Sequence, residues 1–184
     1  MVWVIVAILV IAVAVLAFLV FRRRRSERLH QRFGPEYDRV VDERGDRGEA
    51  EAELQQRAKR RSSFEVRPLS DQARDAYAQR WEIAQRHFVD QPAAAISEAD
   101  ELVMEVMAER GYPVENDFEQ RAADVSVDHP EVVEHYRAAH ATSQGATRGD
   151  ASTEDLRQAM VHFRALFAEL LDSGQRETSH VGRT

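Results

Sequence analysis

The chain has 184 residues and, once a twenty-residue apolar run at its start is set aside, room for one modest domain. It carries 32 acidic against 25 basic side chains and no cysteine, which excludes disulfides, thiolate metal sites and cysteine nucleophiles together. The charge is uneven: residues 22–67 hold 14 basic and 10 acidic side chains and residues 68–184 hold 11 and 22, so the distal part repels a phosphate backbone and nucleic-acid binding by it is not expected.

Val2 to Phe21 reads VWVIVAILVIAVAVLAFLVF, with no charge, proline or glycine. As a helix it extends roughly 30 Å, the thickness of a bilayer's hydrocarbon core, and satisfies its own backbone hydrogen bonds. It is expected to be a single-pass transmembrane anchor (residues 1–21), with Trp3 as an interfacial aromatic. Arg22, Arg23, Arg24 and Arg25 follow at once, and the preceding flank offers only the α-amino group. Cytoplasmic flanks retain arginine, so this topology signal places the N-terminus outside and the C-terminal domain in the cytoplasm. A cleaved signal peptide is the rival reading, with Ala12, Ala14 and Ala17 imitating a cleavage pattern; against it stand the uncharged n-region and the long apolar run. The basic cluster also has affinity for anionic lipid, although orientation alone accounts for it. Ala7, Ala12, Ala14 and Ala17 give no pair of small residues four apart, so no dimerisation through this helix is expected.

Residues 22–69 read as a basic juxtamembrane segment and charged linker. The helix is expected to continue to about Arg32 and to break at Gly34-Pro35. Beyond it, Glu43–Arg47 and Glu53–Arg57 are favourable i,i+4 pairs, opposed by Gly45 and Gly48 and by the like-charged Glu49–Glu53. Val40, Val41 and Leu54 do not repeat as a heptad seam. The expectation is a solvated, partly helical stalk, with Phe33 and Tyr37 at headgroup level.

Residues 70–172 read as an acidic helical domain. Ser70 caps a helix to about Asp90 with Ala73, Tyr77, Trp81, Ala84 and Phe88 on one face. Pro92 opens a second, with Ile96, Ala99, Leu102, Val103, Val106 and Met107 as its buried stripe and Gly111 at its end. A short helix is expected over Asp117 to Val125, and another from Asp128-His129-Pro130, followed by a loop over Gln144 to Ala151. Ser152 and Asp155 form a capping box for the last helix, whose face runs through Leu156, Ala159, Met160, Phe163, Leu166, Phe167, Leu170 and Leu171. Residues 173–184 read as a disordered tail. The fold class is all-α: membrane helix, stalk, then a bundle of four to five helices.

Glycine-rich phosphate loops and nucleophile-elbow or Ser-x-x-Lys motifs do not occur. Glu131 and His135 share a helical face and could hold a metal with His140, but HExxH is missing and an ordinary surface pair is the simpler reading. His87 and His162 read as boundary residues and Met104 and Met107 as core filling. No catalytic, cofactor-binding or metal residues and no cofactor are therefore assigned, and an enzyme is not expected.

Three stretches, RFGPEYDRVVDERGDR (32–47), DFEQRAADVSVDHPEVVEHYRAAH (117–140) and STEDLRQAMVHFRALFAELL (152–171), resemble an uncharacterised family of bacterial proteins with an N-terminal single-pass membrane helix. The resemblance implies a bacterial membrane location and no activity. The combined expectation is a membrane-tethered helical interaction or adaptor module. It binds the bilayer through Val2 to Phe21 and an unidentified protein, for which the candidate surface is Tyr112, Pro113, Phe118, His129 and Pro130, although closing the fold is the simpler role for those side chains. The alternatives are a membrane-bound metal-dependent enzyme using the Glu/His cluster, and a secreted or envelope-facing helical domain.

Overall fold

In a computed structural model the backbone is described for residues 2–181; the side chains of Val2, Ile5, Ala7, Ile8 and residues 173–181 lie outside the described set, as do Met1 and residues 182–184. Among the described residues there are eight helices and no strand: α1 (Val2–Phe33), α2 (Pro35–Arg44), α3 (Arg47–Arg61), α4 (Asp71–His87), α5 (Pro92–Glu109), α6 (Phe118–Val125), α7 (Val133–Arg148) and α8 (Thr153–Val181). The chain divides into two units, residues 1–56 and 57–184, and the division falls within α3.

In the first unit, α1 continues without a break from the apolar run into the arginines and ends at Phe33. Gly34 turns the chain at φ 45°, a conformation that favours glycine, and Pro35 starts α2 with φ already helical. Gly45, at φ 67°, closes α2 as a left-handed cap. That cap separates Glu43 from Arg47, so the expected i,i+4 pair between them does not exist; Arg39 binds Glu43 and Arg47 binds Glu51 instead. The stalk is also better ordered than its composition suggests. Leu29, Phe33, Tyr37, Val40, Ala50 and Leu54 are all buried, which α2 and α3 achieve by folding back beside the end of α1. Phe33 and Tyr37 therefore pack against protein: Phe33 is 0% and Tyr37 3% exposed. The six buried apolar side chains come from three helices and follow no heptad.

In the second unit, α5 lies centrally, packed against α4, α7 and α8, and α8 also packs along α7. The local signals act as their chemistry requires. Ser70 Oγ accepts from Ala73 N at 3.1 Å, Asp117 Oδ1 from Gln120 N at 2.9 Å, and Ser152 and Asp155 accept reciprocally from each other's backbone. The whole α5 stripe is buried, joined by Trp81 stacked on Phe167 at 4.6 Å, and by Tyr136, Phe163 and Leu166. The last helices differ from expectation at three boundaries. Regular helix in α7 starts at Val133 rather than Asp128, because the Asp128 carboxylate is taken by Tyr112 and Arg61 and caps nothing. It then runs on to Arg148 through residues expected to be loop: Gly145 is helical and buried, and the left-handed cap is Gly149. α8 continues as backbone helix to Val181, past Ser173, where the tail was expected to begin; one glycine at 174 costs only about 1 kcal/mol, and no proline follows it.

Among the described residues no helix is long and apolar enough to cross a membrane. Within the run Val2 to Phe21, the side chains of Val2, Ile5, Ala7 and Ile8 are outside the described set.

Candidate functional site

Where α1 leaves its apolar run, a polar seam ties the three helices of the first unit together. Arg47 of α3 donates from Nε to Tyr37 Oη of α2 at 2.8 Å and from Nη2 to Ser26 Oγ of α1 at 2.6 Å. Tyr37 Oη donates in turn to Glu51 Oε1 at 3.0 Å, and Arg47 Nε lies 3.3 Å from the same oxygen. Burial works to raise the Glu51 carboxyl, but hydrogen bonds from Ser26 and Tyr37 and the charge of Arg47 outweigh it and hold the group below the usual carboxylate range. A four-residue seam of this kind orients helices; it carries no reactive nucleophile.

Two clefts flank the seam. One, of about 400 Å³, is lined by Leu19, Arg22, Arg23, Ser26 and Glu27 of α1 and by Arg47 and Glu51 of α3. The other, of about 240 Å³, has Phe18, Phe21, Arg22 and Arg25 on the α1 side and Ala52 and Gln55 on the α3 side. Of the arginines that signal topology, Arg23 pairs with Glu27 at 3.1 Å, while Arg22, Arg24 and Arg25 have no anionic partner among the described residues; all four are exposed.

The second unit gathers the residues named as a partner surface, but mostly inside. Tyr112 and His129 are 3% and 4% exposed, and Pro113, Phe118 and Pro130 are half-buried. Tyr112 donates to Asp128 Oδ2 at 2.7 Å, and burial, then the Asp128 charge, pushes its phenol well above the ordinary range. His129 Nδ1 sits 3.4 Å from Glu169 Oε1, in ion-pair range but without hydrogen-bond geometry. Burial and then the nearby Arg110 guanidinium lower its pKa, against the opposing charges of Asp128 and Glu169, which favours the neutral ring. Arg110, itself 2% exposed, donates from Nη1 to the Leu170 carbonyl at 3.0 Å. These groups close the fold between α5, the α6–α7 turn and α8, and leave the suggested surface only its half-buried members.

The Glu/His cluster does not converge. His135 turns to His162 of α8, with ring nitrogens Nδ1 2.9 Å apart, whereas His140 stacks on Phe118 at 3.7 Å and faces Asp100 at 3.6 Å. Two histidines five residues apart on a helix point about 140° away from one another, which is why each finds a different neighbour. Among the described residues no three His, Asp or Glu side chains come together to hold a metal ion. The His135–His162 pair was not foreseeable: nothing local says which residue of α8 lies opposite residue 135. Asp124 was missed for the same reason; it is buried and accepts from Arg60 Nε at 2.8 Å and Gln120 Nε2 at 3.1 Å.

Comparison with family models, with curated proteins and with solved structures finds no match.

Proposed function

We propose that the chain is a membrane-tethered helical interaction module, held in a bacterial inner membrane by Val2 to Phe21 with the helices beyond Phe21 on the cytoplasmic side. The observation that supports it is the exposure of the apolar run. From Leu9 to Phe21 every side chain is exposed, and Trp3 and Phe21 are 86% and 65% accessible, although the helix is continuous with a packed unit. Soluble chains rarely leave a contiguous apolar surface of more than a few hundred Å² uncovered, and lipid is the environment that suits a helix apolar all round. Arg22, Arg23, Arg24 and Arg25 at the end of the run supply the positive-inside signal. Tethering raises the local concentration of the two units, so a weak protein-binding surface becomes effective. The family resemblance noted from the sequence points the same way.

Phosphatase and fluorescent-protein fusions at the C-terminus test the placement. Fluorescence with no phosphatase activity is expected, and phosphatase activity would place the units outside, as for an envelope-facing domain. Crosslinking of the tagged protein in its native membrane, followed by mass spectrometry, is expected to return one reproducible partner; a repeatedly empty result would remove the interaction role.

A further inference from the structure

We propose that the cleft between Phe18, Phe21, Arg22 and Arg25 of α1 and Ala52 and Gln55 of α3 is a binding site for one anionic phospholipid. The inference rests on the membrane anchor proposed above and adds to it a ligand class and a location. Three features of the cleft support an amphiphile. It is divided by chemistry along α1: Phe18 and Phe21 belong to the last turn of the apolar run, and Arg22 and Arg25 to the first turn beyond it. A lipid lying beside α1 therefore has its acyl chains against the rings and its phosphate against the guanidiniums. A free phosphate would make no use of the aromatic half.

The cations are also available. In α2 and at the start of α3 arginine is matched by carboxylate: Arg39 with Glu36 and Glu43, Arg44 with Glu53, and Arg47 with Glu51. Arg22 and Arg25, by contrast, have no anionic partner among the described residues. The carboxylate that does line the cleft, Glu51, is occupied by Tyr37 and Arg47. Two guanidiniums on one helical face, three residues apart, match a phosphodiester flanked by oxygens better than a single point charge does.

Finally, the far wall is fixed. α3 presents Gly48, Ala52 and Gln55 to the cleft, small or neutral side chains that leave room, and the Ser26–Tyr37–Arg47–Glu51 seam holds α3 in place beside α1. A bare juxtamembrane arginine cluster would have no such wall, and its lipid preference would follow charge alone.

The test uses the full-length protein. Reconstituted into neutral phosphatidylcholine vesicles and washed at alkaline pH, it is expected to stay with the lipid; release would overturn the anchor and the lipid site with it. Protein taken into detergent is then equilibrated in turn with phosphatidylglycerol, phosphatidylcholine and inorganic phosphate and examined by native mass spectrometry. One bound phosphatidylglycerol is expected, with neither of the others retained. Equal retention of phosphatidylcholine, or binding of inorganic phosphate, overturns the lipid site while the alkaline wash still speaks for the anchor. The variant R22Q/R25Q is expected to bind phosphatidylglycerol about tenfold or more weakly, since each basic residue near an anionic lipid contributes to affinity. R28Q/R32Q, which removes the same charge from outside the cleft, is expected to bind as the parent does; an equal loss in both means diffuse electrostatics and overturns the proposal. Ala52→Trp, which fills the cleft without changing charge at an exposed helix position, is expected to lose binding with its circular dichroism unchanged, and unaltered binding in it would also overturn the cleft.

Discussion

His135 and His162 face each other across the packed helices α7 and α8, rings stacked at 5.0 Å and Nδ1 atoms 2.9 Å apart. Two imidazoles can share that contact only if one donates and the other accepts, so at least one ring is neutral. Burial, and then the neighbouring His135, lowers the pKa of His162. Its folded pKa lies below the unfolded value near 6.5, so the unfolded chain binds more protons and stability is lost as pH falls below that value through the folded pKa. His129 acts in the same direction through burial and Arg110. Urea unfolding of the full-length protein in detergent is expected to show a lower midpoint at pH 5 than at pH 7.5. The drop is expected to be smaller in His162→Gln, and an equal drop would mean that the pair does not carry pH sensitivity.

Gly111 and Gly145 should respond oppositely to alanine. Gly111 has φ +93°, and an added Cβ would lie 2.3 Å from the Glu65 carbonyl oxygen, a backbone atom held near by the bond from Arg67 N to Arg110 O. Gly111→Ala is expected to cost about 2–4 kcal/mol, combining left-handed strain with displacement of that strand of chain. Gly145 is helical, and its added Cβ meets only Ala151 Cβ at 3.8 Å. Gly145→Ala is expected to be neutral or to stabilise by up to about 1 kcal/mol. Thermal unfolding of the two variants checks both signs.

Phe33 is wholly buried where α1 meets α2, within a core of few side chains. Phe33→Ala is expected to remove about 3–4 kcal/mol of local stability. Hydrogen exchange should report it as lost protection over residues 35–56, with α5 and α8 unchanged; free exchange over residues 35–56 already in the parent would return the segment to an unfolded stalk.

From the turn after α5 the Tyr112 hydroxyl reaches the α6–α7 connection and donates to the Asp128 carboxylate at 2.7 Å. Tyr112→Phe keeps the ring and removes a hydrogen bond to a charged group, at a cost of about 1.5–3 kcal/mol. A denaturant midpoint indistinguishable from that of the parent would show that Arg61 alone satisfies Asp128.

How much was legible depended on the range of the interaction concerned. Ser70, Pro92, Gly111, Asp117 and the Ser152–Asp155 box act on backbone groups within four residues, so helix starts and ends followed from spacing. The stripes of α5 and α8 were readable because burial in an amphipathic helix has the helix's own period. Burial in the stalk was not legible because it has no period: Phe33, Tyr37 and Leu54 come from three helices and are buried in a chain that turns at Gly34 and Gly45.

The candidate sites divide along the same line. The apolar run, the arginines behind it and the all-helical architecture were determined by the sequence alone, since each rests on composition and on contacts between near neighbours. Which side chains meet was decided by tertiary structure: His135 with His162, Tyr112 with Asp128, and Arg47 with Ser26, twenty-one residues away. The same holds for the phospholipid cleft. Arg22 and Arg25 are plain in the sequence, but only the return of α3 beside α1 gives them a facing wall in Ala52 and Gln55, because a wall requires residues distant in the chain to become neighbours in space.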